Sequence, residues 1–194
     1  MPRVSDFNKA IKEQIPAELI ARIEFPQPNE ADMMQPEEVL SLVNQIDKLL
    51  SREQCLRVME KQGCHKDEET TAPFREFGLK HADKTVDEKL KLFDELETGH
   101  KAPCHLNHDG TLSIYWGFEK DGNYQCVCRV IKRLYKERGG PVDVSSTFCG
   151  CCGGHVRHTY QYALGVKLRL KEIVSSPISS DGKKRCEFLF VIID

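Results

Sequence analysis

The chain has 194 residues, 40% of them hydrophobic and 30% charged, with a formal charge of -2. That is long enough for one domain with a sizeable core. The near-neutral balance provides no basic field for nucleic acid or an anionic membrane, and no apolar run approaches the roughly 18 residues of a membrane span. The polar N-terminus lacks a hydrophobic signal core, so the expected location is cytoplasmic.

Ser5 followed by Phe7, Ile11 and Ile15 predicts a short amphipathic helix over residues 5–15. Pro16, Pro26 and Pro28 punctuate the connection after it, and residues 26–35 read as loop. Pro36 suits a first helical position, and Val39, Leu42, Val43, Ile46, Leu49 and Leu50 follow at helical spacing. Ser51 and Gln54 form a capping-box pair that starts another helix, carried by Cys55, Val58, Met59 and Gln62 and stopped at Gly63. Cys64 and His65 follow that stop with no flanking ligands at metal spacing, so structural roles are expected for them. Residues 67–82 are mixed, with Phe74, Phe77 and Leu79 as the expected buried anchors. Thr85 and Glu88 form a second capping box before Leu90, Phe93 and Leu96.

Beyond Gly99 the character changes. His100, Cys104, His105 and His108 crowd a stretch that reads as a polar loop or, at non-standard spacing, as a metal cluster. Leu112, Ile114, Trp116 and Phe118 alternate with Ser113, Tyr115 and Gly117 as in a strand. Asp121-Gly122 is a turn signal, and 124–130 reads as the return strand of a hairpin, with Cys126 and Cys128 on one face. A short basic helix is expected over 131–138. A helix is expected again from His155 to Leu164, stopped by Gly165, with His155, His158 and Tyr162 near one face. Val166, Leu168 and Leu170 form a half-exposed strand. The last strand, 185–193, is apolar on both faces, which predicts a central position in the sheet.

Nine cysteines is a high and odd number. In a long chain without a secretion signal, reduced thiols are expected rather than a disulfide scaffold. Some, Cys55 and Cys186 among them, are expected simply to pack, as buried cysteine often does. The outstanding stretch is Cys149-Gly150-Cys151-Cys152-Gly153-Gly154-His155, three thiols and an imidazole within seven residues. With Cys126 and Cys128 it makes six soft ligands in a thirty-residue window. Zinc takes four such groups, and the glycines would let near neighbours face one centre. The pairs are Cys-x-Cys rather than the usual Cys-x-x-Cys, and an iron–sulfur cluster suits the same ligands.

Three further readings stand beside the metal. Cys151 or Cys152, near a helix N-terminus, could be an activated nucleophile with His155 or His158 as base. The adjacent Cys151 and Cys152 could form a redox pair. Or the thiols could line an apolar pocket and do no chemistry.

The cluster Cys149 to His155, the helix to Gly165, the strand 166–174 and the closing Gly182-Lys183-Lys184-Arg185-Cys186-Glu187-Phe188 resemble the small-ligand-binding domain related to 4-vinyl reductases. That superfamily includes 2-amino-thiazoline-carboxylate hydrolase-like proteins, and its fold is shared with haem-based nitric oxide sensors and trafficking-particle subunits. The resemblance spans roughly residues 104–194. The pairing of Cys126-Val127-Cys128 with the cluster is most similar to a cysteine-rich bacterial and archaeal group within it. It implies a helical N-terminal half wrapped on an antiparallel sheet, a pocket for a small molecule or metal, and Cys186 in the family's late cysteine position.

The expected fold is therefore α+β: a helical part over 1–100 packed on an α+β ligand- or metal-binding part over 101–194, with a mainly antiparallel sheet of four to five strands. The expected function is binding of a metal, zinc foremost, or of a small ligand at Cys126, Cys128, Cys149, Cys151, Cys152 and His155. A thiol-dependent hydrolase of a small cyclic or amide substrate and a non-catalytic interaction subunit are the competing classes. The expected partners are the small molecule or metal ion and, in a homodimer, a second copy of the chain, with neither nucleic acid nor membrane.

Overall fold

Pro36 opens the helix α3 (Pro36–Leu49), and Glu38 reaches back to the Gln35 backbone N–H to close its first turn. That start fixes the phase in which Val39, Leu42, Val43 and Ile46 face inward, all of them buried. The same logic sets α4 (Arg52–Glu60), capped reciprocally by Ser51 and Gln54, and α6 (Val86–Lys91), capped by Thr85 and Glu88. In the computed structural model, which describes residues 2–27, 30–62 and 67–193, the remaining N-terminal helices are α1 (Val4–Gln14), α2 (Ala17–Ile20) and α5 (Glu68–Lys80). The expected stop at Gly63 and the pair Cys64 and His65 lie outside the described residues.

Most of the stretch 67–82 is the helix α5 (Glu68–Lys80), although its mixed pattern hid it. Asp67 caps α5 by accepting the Thr70 N–H at 2.8 Å, and Pro73 sits inside the helix. Phe74 and Phe77 are buried as expected, whereas Leu79 is 71% exposed, because α5 turns Thr70, Thr71 and Gly78 inward beside the two rings.

The chain is α+β, with a four-stranded antiparallel sheet in the order β1-β2-β6-β5 and a separate two-stranded ribbon. The strands are β1 (Cys104–Leu106), β2 (Leu112–Trp116), β5 (Lys167–Ser175) and β6 (Cys186–Ile193), with β3 (Phe118–Lys120) and β4 (Asn123–Gln125) in the ribbon. The last strand is central, as its composition suggests. One face of it is buried at Cys186, Phe188 and Phe190, whereas Leu189, Val191 and Ile193 on the other are half-buried. Gly117, at φ 117°, ends the pairing of β2 with β6 and lets the chain leave the sheet for the ribbon. Asp121 and Gly122, both at positive φ, make the ribbon's two-residue turn.

Helices α7 (Arg129–Arg138) and α8 (Gly150–Leu164) follow, each ended by a left-handed glycine, Gly139 and Gly165. Two hydrophobic clusters result. One joins α1, α3, α4 and α7, and the other joins α5, α8 and the inner face of the sheet. Among the described residues, no helix is long and apolar enough to cross a membrane.

Candidate functional site

The thiols gather at the seam between these two clusters. Cys151, Cys126 and Cys128 pack against the first, whereas Cys149, Cys152, Cys186 and Trp116 pack against the second. All eight described cysteines are reduced thiols.

Two elements differ from the sequence expectation. The return strand ends at Gln125, so Cys126 and Cys128 do not share a strand face. Instead Cys128 is the N-cap residue of α7, in extended conformation, and its thiol does not cap the helix. The helix expected from His155 begins five residues earlier, at Gly150, directly after a 3-10 turn over Ser146–Cys149. The glycines of the cluster therefore do not fold a loop around a centre. They lie inside α8, where the chain has no room for side chains: a Cβ on Gly154 would stand 2.1 Å from the Glu60 carbonyl oxygen, and one on Gly150 would stand 2.6 Å from the Met59 Cβ.

Cys152, in the first turn of α8, and Cys128, at the start of α7, line one cavity. The neighbouring Cys128 thiol is the foremost reason the Cys152 thiol is held well above its ordinary pKa. Burial and the neighbouring Cys151 and Cys149 add to it. Burial likewise pushes Cys149 up to about 12, with Cys126 and Cys128 adding to the shift and Ser176 opposing it by a hydrogen bond. Cys126 is pushed to about 11, again chiefly by burial. Cys186, which sequence reasoning assigned to packing, belongs to the same group. Burial raises its pKa first, followed by Cys149, Cys126 and Cys128. Its place follows from strand register, because Cys186 pairs with Trp116 across β6 and β2. No local signal in the sequence could reveal that pairing. Cys151 turns elsewhere and donates to the Gln62 carbonyl at 3.5 Å.

His155 is buried, with its ring edge-on to Trp116 at 5.3 Å between centroids. His158 instead faces Tyr162 at 5.3 Å. Trp116, Cys128, Cys152 and His155 line a cavity of about 260 Å³, whose wall is completed by Thr70, His100, Val127 and Arg129. A larger cleft of about 830 Å³ lies against the ribbon and the 177–182 turn and includes only Cys126 of the six expected ligands. The histidines after Gly99 are dispersed: His100 reaches the cavity, while His105 stacks on Tyr115 at 5.6 Å from the edge strand β1.

Among the described residues, no group of three or more His, Cys, Asp or Glu side chains is arranged to hold a metal ion. Cys126, Cys128, Cys149, Cys151, Cys152 and His155 thus converge on one seam without presenting three donors to one point, and zinc's tetrahedral shell is not assembled from them. The Cys152 thiol pKa is raised, opposite to the depression found at many activated cysteines.

No family model and no curated protein matches the chain. Among solved structures, an H-NOX protein from S. oneidensis in the Fe(II)NO ligation state aligns with 98% of this chain and 89% of its own, at 11% identity and a TM-score of 0.29. A likeness at that score establishes neither a shared fold nor a shared ligand.

Proposed function

We propose that the protein binds a small ligand in the cavity bounded by Trp116, Cys128, Cys152 and His155. The observation that carries this reading is the convergence on one space of an indole, a buried imidazole and two thiols from separate stretches of chain. Ligand pockets combine apolar walls with a few polar groups that fix orientation, and at about 260 Å³ this one suits a compact ligand of few heavy atoms. The neutral Cys152 thiol favours a binding role over a nucleophilic one.

Trp116 is the only tryptophan in the chain, so its emission reports the cavity directly. Titration with small planar heterocycles is expected to change that emission saturably, and Val127→Phe, whose ring fills the space, is expected to abolish the change. Emission that stays constant across a fragment set, in protein whose Trp116 signal still shifts on unfolding, overturns the reading.

A further inference from the structure

We infer that the outward face of α7 is a docking surface for a membrane that bears anionic lipid headgroups. The helix carries Arg129, Lys132, Arg133 and Lys136 at positions i, i+3, i+4 and i+7, a spacing that places all four cations on one face. All four residues are exposed, whereas Val130, Ile131 and Leu134 on the opposite face are buried in the core. The one ion pair that the stripe makes among the described residues is Arg133–Glu137 at 2.7 Å. The formal charge of -2 conceals this basic face, because carboxylates elsewhere in the chain outweigh it.

The stripe works against the helix that carries it. Arg129 repels Lys132 and Arg133, and Lys136 repels the same two residues, all at the spacings where like charges destabilise a helix. Arg129 also opens the first turn, beside the positive end of the helix dipole. The helices α1, α3, α4, α5 and α6 each carry an acidic residue in that turn, and α7 carries none. An anionic surface turns these repulsions into a shared attraction. Next to the stripe stands Phe118, 52% exposed, with the Lys132 ammonium 5.6 Å from its ring centre. An exposed ring among cations combines apolar insertion with headgroup attraction, as interfacial segments do. The same ring favours a lipid surface over other polyanions. An acidic peptide has no use for it, and the ammonium lies over a face on which a nucleobase would stack.

The test is co-sedimentation of the intact chain with phosphatidylcholine vesicles that contain or lack phosphatidylserine. Binding is expected only where phosphatidylserine is present, and it should fade as salt is raised, because the attraction acts within a Debye length of the surface. Lys132→Gln and Lys136→Gln are each expected to weaken partitioning about fivefold. Lys136→Gln should do so without lowering the thermal unfolding midpoint, since it removes repulsion and no contact. Phe118→Ser should weaken partitioning as well, whereas Lys91→Gln, an exposed cation on α6, should leave it unchanged. No sedimentation with phosphatidylserine vesicles, equal sedimentation with both vesicle types, or stripe variants that bind like the wild type overturns the proposal. Displacement from the vesicles by single-stranded RNA or polyglutamate at equal anionic charge assigns the face to that polyanion and overturns it too.

Discussion

The Glu60 carboxylate accepts the backbone N–H of Leu170 at 2.8 Å, while Arg57 donates to the carbonyl of the same residue. Leu170 lies on β5, the edge of the sheet, so a helix supplies the hydrogen bonds that a further strand would otherwise supply. Gln161 does the same at Leu168, accepting its N–H at 2.8 Å. Glu60 is only 3% exposed and is held by Arg57 at 2.7 Å and Arg157 at 3.3 Å. Glu60→Ala leaves two cationic side chains and one edge N–H without their acceptor. Removing one partner of a buried ion pair costs about 3–5 kcal/mol, so the urea midpoint should fall steeply and the exposed edge should promote association. Glu13→Ala, which breaks the solvent-exposed pair with Lys61, should leave the midpoint unchanged.

Gly154 reports how closely α8 rides on α4. A methyl group there would meet the Glu60 carbonyl at 2.1 Å, and a backbone carbonyl at the end of a packed helix cannot step aside as a flexible side chain can. Gly154→Ala should therefore destabilise the fold by about 1–3 kcal/mol through overpacking, despite alanine's better helix propensity. Gly99→Ala, with nothing within 4 Å of the new carbon, should be nearly silent in the same denaturation experiment.

What could be read from the sequence was local. The capping pairs Ser51–Gln54 and Thr85–Glu88 start helices where their spacing says they should, and the alternation over 166–174 and 185–193 is observed as strands. Helix α5 was hidden because Pro73 and two threonines interrupt its pattern, yet its inward face is complete without Leu79. The alternation of Cys126 and Cys128 imitated a strand, although the basic amphipathic helix that begins at Arg129 had already drawn the chain away from the ribbon. The roles of Gly154 and Cys186 depend on partners distant in sequence, Glu60 and Trp116, so no window along the chain contains the information.

Tyr160 is fully buried, and its hydroxyl serves a single residue twice, accepting the Ala102 N–H at 2.8 Å and donating to the Ala102 carbonyl at 2.5 Å. This ties the segment entering β1 to the middle of α8. Tyr160→Phe keeps the ring packed between Phe74 and Phe93 but leaves both backbone groups unsatisfied. A cost of about 1–3 kcal/mol is expected, together with faster amide exchange at Ala102 in hydrogen-exchange measurements.

The thiol ensemble sets how stability responds to alkali. Burial holds Cys126 at about 11 and Cys104 and Cys149 at about 12, against an ordinary value of 9.0, and it raises Cys186 as well. In each case the folded state retains a proton that the unfolded chain releases sooner. The stabilisation from these thiols is therefore fully present below about pH 9 and is lost progressively as pH rises through 11 to 12. Unfolding midpoints measured from pH 8 upward should stay level and then fall across that window. Alkylation by iodoacetamide should be slow at neutral pH at Cys126, Cys149 and Cys152, because only the thiolate reacts. It should accelerate about tenfold per pH unit until the fold itself gives way. Rapid labelling of Cys152 at pH 7 in folded protein would contradict the neutral state that the neighbouring Cys128 and burial favour.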